Sequence, residues 1–142
     1  VLQAEDVDMS MFYYARVNGM NNLFDPLSGL PSRGYYPFIA WRNLRRLGTQ
    51  VSAISSLDDI YVTAARGENG KWGIFIIRYD EDNNVTAPAK ISIKFSNGAT
   101  FKDARCHITD DARIYTEKKL TIEEDGSASV VMRPCSFVYI EC

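Results

Sequence analysis

Chemistry in this chain would have to come from few side chains. His107 is the single histidine and directly follows Cys106. Neighbours on a strand point to opposite faces, so the two would diverge rather than form a Cys–His nucleophile, and His107 is expected on the polar face. No G-x-S-x-G elbow is present to present a serine to a base. Carboxylates come in pairs at Asp58–Asp59 and Asp110–Asp111. Calcium would want several oxygen ligands at loop spacing plus a glycine turn, so both pairs read as solvated turn-edge groups. Cys106, Cys135 and Cys142 lack the close-pair spacing of a zinc site. An odd count of three argues against a closed disulfide framework. Cys106 and Cys135 could pair across strands, but two buried free thiols are the preferred reading, since cysteine packs as a small hydrophobe. That favours a reducing, cytoplasmic setting. No cofactor or metal is expected.

The elements that must position these groups fall into two kinds. Met9 to Val17 is a continuous apolar and aromatic run, as in a strand buried on both faces of a parallel sheet. Asn18 to Ser32 is rich in Gly, Asn, Pro and Ser and reads as a loop. Pro37 suits the first turn of a helix, and Phe38, Trp41, Leu44 and Leu47 recur at near-helical spacing with Arg42, Arg45 and Arg46 largely opposite. Gly48 is a good helix stop. Beyond residue 50 the period changes to two. Strands are expected at 50–56, 59–66, 71–79, 90–96, 102–109, 113–122, 127–132 and 135–141. Asn69–Gly70, Asn97–Gly98 and Asp125–Gly126 supply hairpin turns. Many short strands at this spacing predict a sandwich or barrel.

Both faces of 71–79 are apolar: Trp72, Ile74 and Ile76 on one, Phe75, Ile77 and Tyr79 on the other. A two-sheet sandwich normally buries one face of each sheet. The second face therefore wants a cover, which either the helix at 37–47 or a further domain could supply. Trp72 and Tyr61 could make an aromatic platform, but packing is the stronger reading in such apolar surroundings.

The 142 residues carry a net charge of −2. That argues against nucleic acid as partner, because a phosphate-binding surface wants a basic excess. No apolar run is long enough to span a bilayer, so no membrane is expected. The acidic opening VLQAEDVD is unlike a signal peptide.

Tyr13-Tyr14-Ala15-Arg16, Asn21-Asn22-Leu23-Phe24-Asp25, Tyr35-Tyr36-Pro37-Phe38 through Trp41 to Leu47-Gly48, Asp58 to Ala65 and Met132 to Val138 together form a distinctive series. It resembles the C-terminal end of clan-A glycoside hydrolases, in particular family 39 β-xylosidase-like proteins and their bacterial relatives. The chain departs from that pattern in lacking an Asp between Tyr14 and Ala15. The resemblance implies a mainly β fold: an antiparallel β-sandwich at 49–142, preceded at 1–48 by the terminal strand, loop and helix of a (β/α)₈ barrel.

Such enzymes are retaining glycosidases with two catalytic carboxylates about 5 Å apart. In this clan both are Glu residues near the ends of the fourth and seventh barrel strands, upstream of anything this chain would contain. The sequence agrees: it has no Asn-Glu dipeptide, and Glu5, Glu68, Glu81, Glu117, Glu123, Glu124 and Glu141 sit near turns, on polar strand faces or next to a terminus. No catalytic residue is expected here. The resemblance brings Tyr14, Arg16 and Asn18 to the rim of a sugar site, since barrel enzymes bind substrate at the C-terminal ends of their strands. Core packing competes for Tyr13 and Tyr14, and turn chemistry for Asn18, Asn21, Asn22 and Asp25. The partners implied are the rest of the barrel or a second copy of the chain, with oligosaccharide at the rim. A carbohydrate-binding module or an oligomerisation domain is the alternative.

Overall fold

The computed structural model describes residues 23–68, 70–82, 84–101 and 104–142. A short 3₁₀ turn (Arg33–Tyr35) leads into helix α1 (Tyr36–Leu47). Among the described residues nine strands follow: β1 (Thr49–Val51), β2 (Ile60–Arg66), β3 (Trp72–Arg78), β4 (Ala89–Ile93), β5 (Arg105–Thr109), β6 (Thr116–Lys119), β7 (Thr121–Ile122), β8 (Ala128–Met132) and β9 (Ser136–Glu141). They form a six-stranded sheet in the order β1-β2-β3-β9-β5-β6 and a three-stranded sheet in the order β4-β8-β7. Every pairing between these strands is antiparallel. The mainly β sandwich with one helix ahead of it is the fold expected. The barrel strand expected at Met9 to Val17 lies outside the described residues.

Alternation along the strands builds the core. Ile74 and Ile76 of β3, Val138 and Ile140 of β9 and Cys106 and Ile108 of β5 point between the sheets. They meet Ile91, Ala128, Val130 and Met132 from the smaller sheet. On the outside of that smaller sheet Lys90, Ser92 and Val131 face water. Gly70, Gly98 and Gly126 have φ of 77°, 75° and 76°, the left-handed geometry that the Asx–Gly turns require.

The expected strand at 113–122 is two strands. β6 pairs with β5 in the large sheet, and β7 pairs with β8 in the small one. Leu120 lies between them with 5% of its surface exposed. Burying that one side chain between the layers obliges the chain to cross from one sheet to the other. Residues 113–115 stay out of the sheet because Asp110 ties them into a turn, its carboxylate accepting the amides of Ala112 and Arg113.

The outer face of the large sheet is covered by α1. Ala40 and Leu44 pack on Ala65, Phe75 and Tyr139, with Trp41, Leu47, Ile77 and Phe137 around them. Gly73 makes this approach possible. A Cβ there would stand 2.8 Å from Leu47 Cδ1, 3.0 Å from Leu44 Cδ2 and 3.0 Å from the Tyr139 hydroxyl. Phe38 does not join the seam and is 43% exposed. Steps of three residues turn the helix by about 300°, so an i, i+3, i+6 series drifts off its face. The 40–44–47 spacing stays on it.

Candidate functional site

Tyr14, Arg16 and Asn18, the expected rim residues, lie outside the described residues. Asp25, next on the same loop, is committed to turn chemistry. Its Oδ1 accepts the amides of Leu27 and Ser28 and the Ser28 hydroxyl. Those bonds hold its carboxyl below the usual range.

Two carboxylate pairs expected at turn edges are more deeply engaged. Asp59 accepts the Nε–H of Arg78 at 2.8 Å, and Arg78 is nearly buried. The same guanidinium donates to the carbonyls of Ala87 and Met132 at 3.0 and 2.9 Å, tying the end of β3 to the smaller sheet. Asp110 has no exposed side-chain surface and holds the Arg113 guanidinium through Nε and Nη2. That pairing keeps its carboxyl below the ordinary value against the opposing effect of burial. Asp111 pairs with Arg133 and accepts an Arg33 bond at its backbone carbonyl. Solvation alone does not describe either Asp59 or Asp110.

Among the cysteines, Cys106 is a buried free thiol, its pKa raised by desolvation. Cys135 is also free but exposed, contrary to the expectation of two buried thiols. It occupies the turn after Pro134 with φ 53°. Among the described residues no three His, Cys, Asp or Glu groups are close enough to hold a metal ion.

His107 is opposite Cys106, as alternation requires, but its face is not polar. Its ring stacks on Tyr115 at 4.5 Å and 8°, and Tyr115 stacks on Tyr36 at 4.8 Å and 13°. Tyr35 and Phe24 extend the series with centroid separations of 5.8 and 5.3 Å. The stack ties the start of α1 to β5. Tyr115 takes φ 45° to enter it, and burial pushes its phenol up to about 12. His107 Nδ1 is buried and has no hydrogen-bond partner among the described residues.

The outer face of the large sheet divides at the helix. On one side Tyr61, Ile77 and Phe137 form a cross-strand row beside Trp41, with Tyr61 38% exposed. On the other side lies a groove of about 350 Å³, walled by Asn43 and Arg46 of α1 and by Lys71, Arg105, Tyr139 and Glu141. Trp72 also borders it, yet its ring packs on Phe95 at 4.9 Å and lies under Arg66. Trp72 therefore belongs to the face opposite Tyr61, and the two make no common platform. The groove was not foreseen. The arginine side of the helix was visible in the sequence, but the strand register that brings Arg105 across from Glu141 was not.

No protein-family profile and no curated protein sequence matches the chain. Solved structures do. A GH30 endoxylanase from Clostridium papyrosolvens C71 superposes with a TM-score of 0.65 at 20% identity, over 83% of this chain and 29% of that one. The glycoside hydrolase family 30 subfamily 8 xylanase Xyn30A from Clostridium acetobutylicum gives 0.65 at 16% identity, over 87% and 31%. CelM2, a bifunctional glucanase-xylanase from a metagenome library, gives 0.56 at 18% identity, over 78% and 22%. The chain thus spans less than a third of each of these proteins. It shares the fold of that part of them, a β-sandwich with a helix ahead of it.

Proposed function

We propose that this chain is a non-catalytic C-terminal part of a glycoside hydrolase, which packs on and stabilises a retaining (β/α)₈ barrel. On this reading residues 1–48 are the barrel's terminal strand, loop and helix, and 49–142 the sandwich. Helix α1 is then the joint: its Ala40–Leu44 face is seated on the sandwich. The likeness to family 30 structures supports the clan and does not single out family 39. Tyr14, Arg16 and Asn18 stand as rim contacts to sugar.

The observation that carries the reading is the outer face of the large sheet. At the edge of the α1 seam Tyr61 is 38% exposed, with Ile77 and Phe137 partly buried beside it, where a free-standing sandwich would be polar. The carboxylates agree. A retaining pair stands about 5 Å apart across a sugar. Here Asp59, Asp110, Asp111, Glu123 and Asp125 are each matched to a cation instead. A carbohydrate-binding module would want aromatics in line on one face, and Trp72 and Tyr61 are on opposite faces.

Incubation of the purified chain with aryl-glycosides tests the catalytic half of this reading. No turnover is expected. Hydrolysis that persists through stringent purification and scales with the chain overturns it.

A further inference from the structure

The groove between the C-terminal half of α1 and strands β3, β9 and β5 is lined by charged side chains, unlike the apolar Tyr61 row on the other side of the helix. Arg46, Lys71, Arg105 and Glu141 line it. Arg46 makes no ion pair with any described residue. Arg105 has only a loose one: Glu117 at 4.0 Å, with both side chains more than half exposed (71% and 56%). Glu141 is the direct cross-strand partner of both Gly73 and Arg105, so it forms the floor under the helix. Because position 73 has no Cβ, the Tyr139 hydroxyl reaches this floor from the next row. Its phenol is raised by burial and by the Glu141 carboxylate beside it.

We infer that this groove binds a hydroxylated organic anion of the sugar-acid type. Guanidinium groups favour carboxylates because their paired N–H donors match two oxygens in one plane. Arg46 and Arg105 are the two such groups on its walls. Glu141 is acceptor-only when ionised. It repels a bare anion but takes a hydrogen bond from a hydroxyl. A ligand carrying both a carboxylate and neighbouring hydroxyls satisfies walls and floor together; a simple anion or a neutral sugar satisfies one of them. Asn43 supplies a donor and an acceptor at the mouth. The volume of about 350 Å³ lies at the small end of the range for small-molecule sites. The inference stands apart from the barrel reading, and neither fails with the other.

The test is an NMR titration of the full chain, following the backbone amides of Gly73 and Arg105, with galacturonate, acetate, glucose and inorganic phosphate as separate probes. Galacturonate is expected to give saturable shifts that weaken as salt is added. Acetate, glucose and phosphate should each bind about tenfold more weakly or worse. Arg105→Gln should weaken galacturonate by about tenfold with an unchanged unfolding temperature. Glu141→Gln should weaken galacturonate while leaving acetate the same or tighter. Glucose or phosphate binding as well as galacturonate overturns the inference. So does the absence of any saturable shift at millimolar galacturonate, or full galacturonate binding by both variants.

Discussion

At the scale of single residues, the fold rests on two arginine–aspartate pairs. Asp110 is wholly buried in its side chain and binds Arg113 while capping its own turn. Its carboxyl is held low, so its contribution is fully present above the unfolded value of about 3.9 and is lost as pH falls through the folded value. Asp110→Asn should therefore cost on the order of 3 kcal/mol at neutral pH and flatten the acid limb of the stability curve below about pH 4. Urea denaturation across pH reads both. A mutant that loses stability equally at all pH values would show that the turn, not the charge, was at stake. Arg78 is the second case. Arg78→Ala strips Asp59 and the carbonyls of Ala87 and Met132 of their donor. The expected cost is about 3–5 kcal/mol. The double change Arg78→Met with Asp59→Leu should recover part of it, since the uncompensated charge is then gone. Neither role was legible in sequence. Asp58–Asp59 and Asp110–Asp111 look alike there, and only the fold shows which member turns inward.

At the scale of elements, the sequence carried the periods and missed the crossings. Alternation in β3 foretold two buried faces, and the second is indeed roofed, by α1. The reason the helix can lie so close is Gly73, which looks like any strand glycine until the Leu44, Leu47 and Tyr139 contacts are seen. Gly73→Ala puts a methyl at 2.8 Å from Leu47 Cδ1. The leucine tips can yield, but Tyr139 cannot easily follow, so the helix should lift. A loss of about 1–3 kcal/mol is expected, with faster hydrogen exchange confined to α1. Exchange rising equally in β8, on the far sheet, would refute that local account. Leu44→Ala, by deleting the centre of the same seam, should cost about 2–5 kcal/mol. The split of 113–122 into β6 and β7 had no sequence signal beyond Leu120 within the polar stretch 116–121. A strand that changes sheets keeps its alternation and changes only its partners.

At the scale of the whole molecule, the sandwich was readable because its strands are short, regular and punctuated by Asx–Gly turns. The candidate site was readable only as a direction: towards residues 1–22, which lie outside the described residues, and towards a barrel. What the fold adds is a face with two characters. The row Tyr61–Ile77–Phe137 and Phe38 are apolar, and the groove past the helix is lined by charged groups of both signs. A surface of the first kind does not stay bare in water. The isolated chain should therefore self-associate in a concentration-dependent way, through the face that the proposed barrel would cover. Sedimentation velocity of the wild-type chain and of Phe38→Ser/Tyr61→Ser checks this. Both positions are partly exposed, so the double variant should keep its unfolding temperature within a few degrees, its cost staying near the usual surface value of about 0.5 kcal/mol per site. It should shift the chain towards monomer. A wild-type chain that is monomeric at every concentration would remove the need for any partner on this face. A double variant that still associates would locate the contact elsewhere.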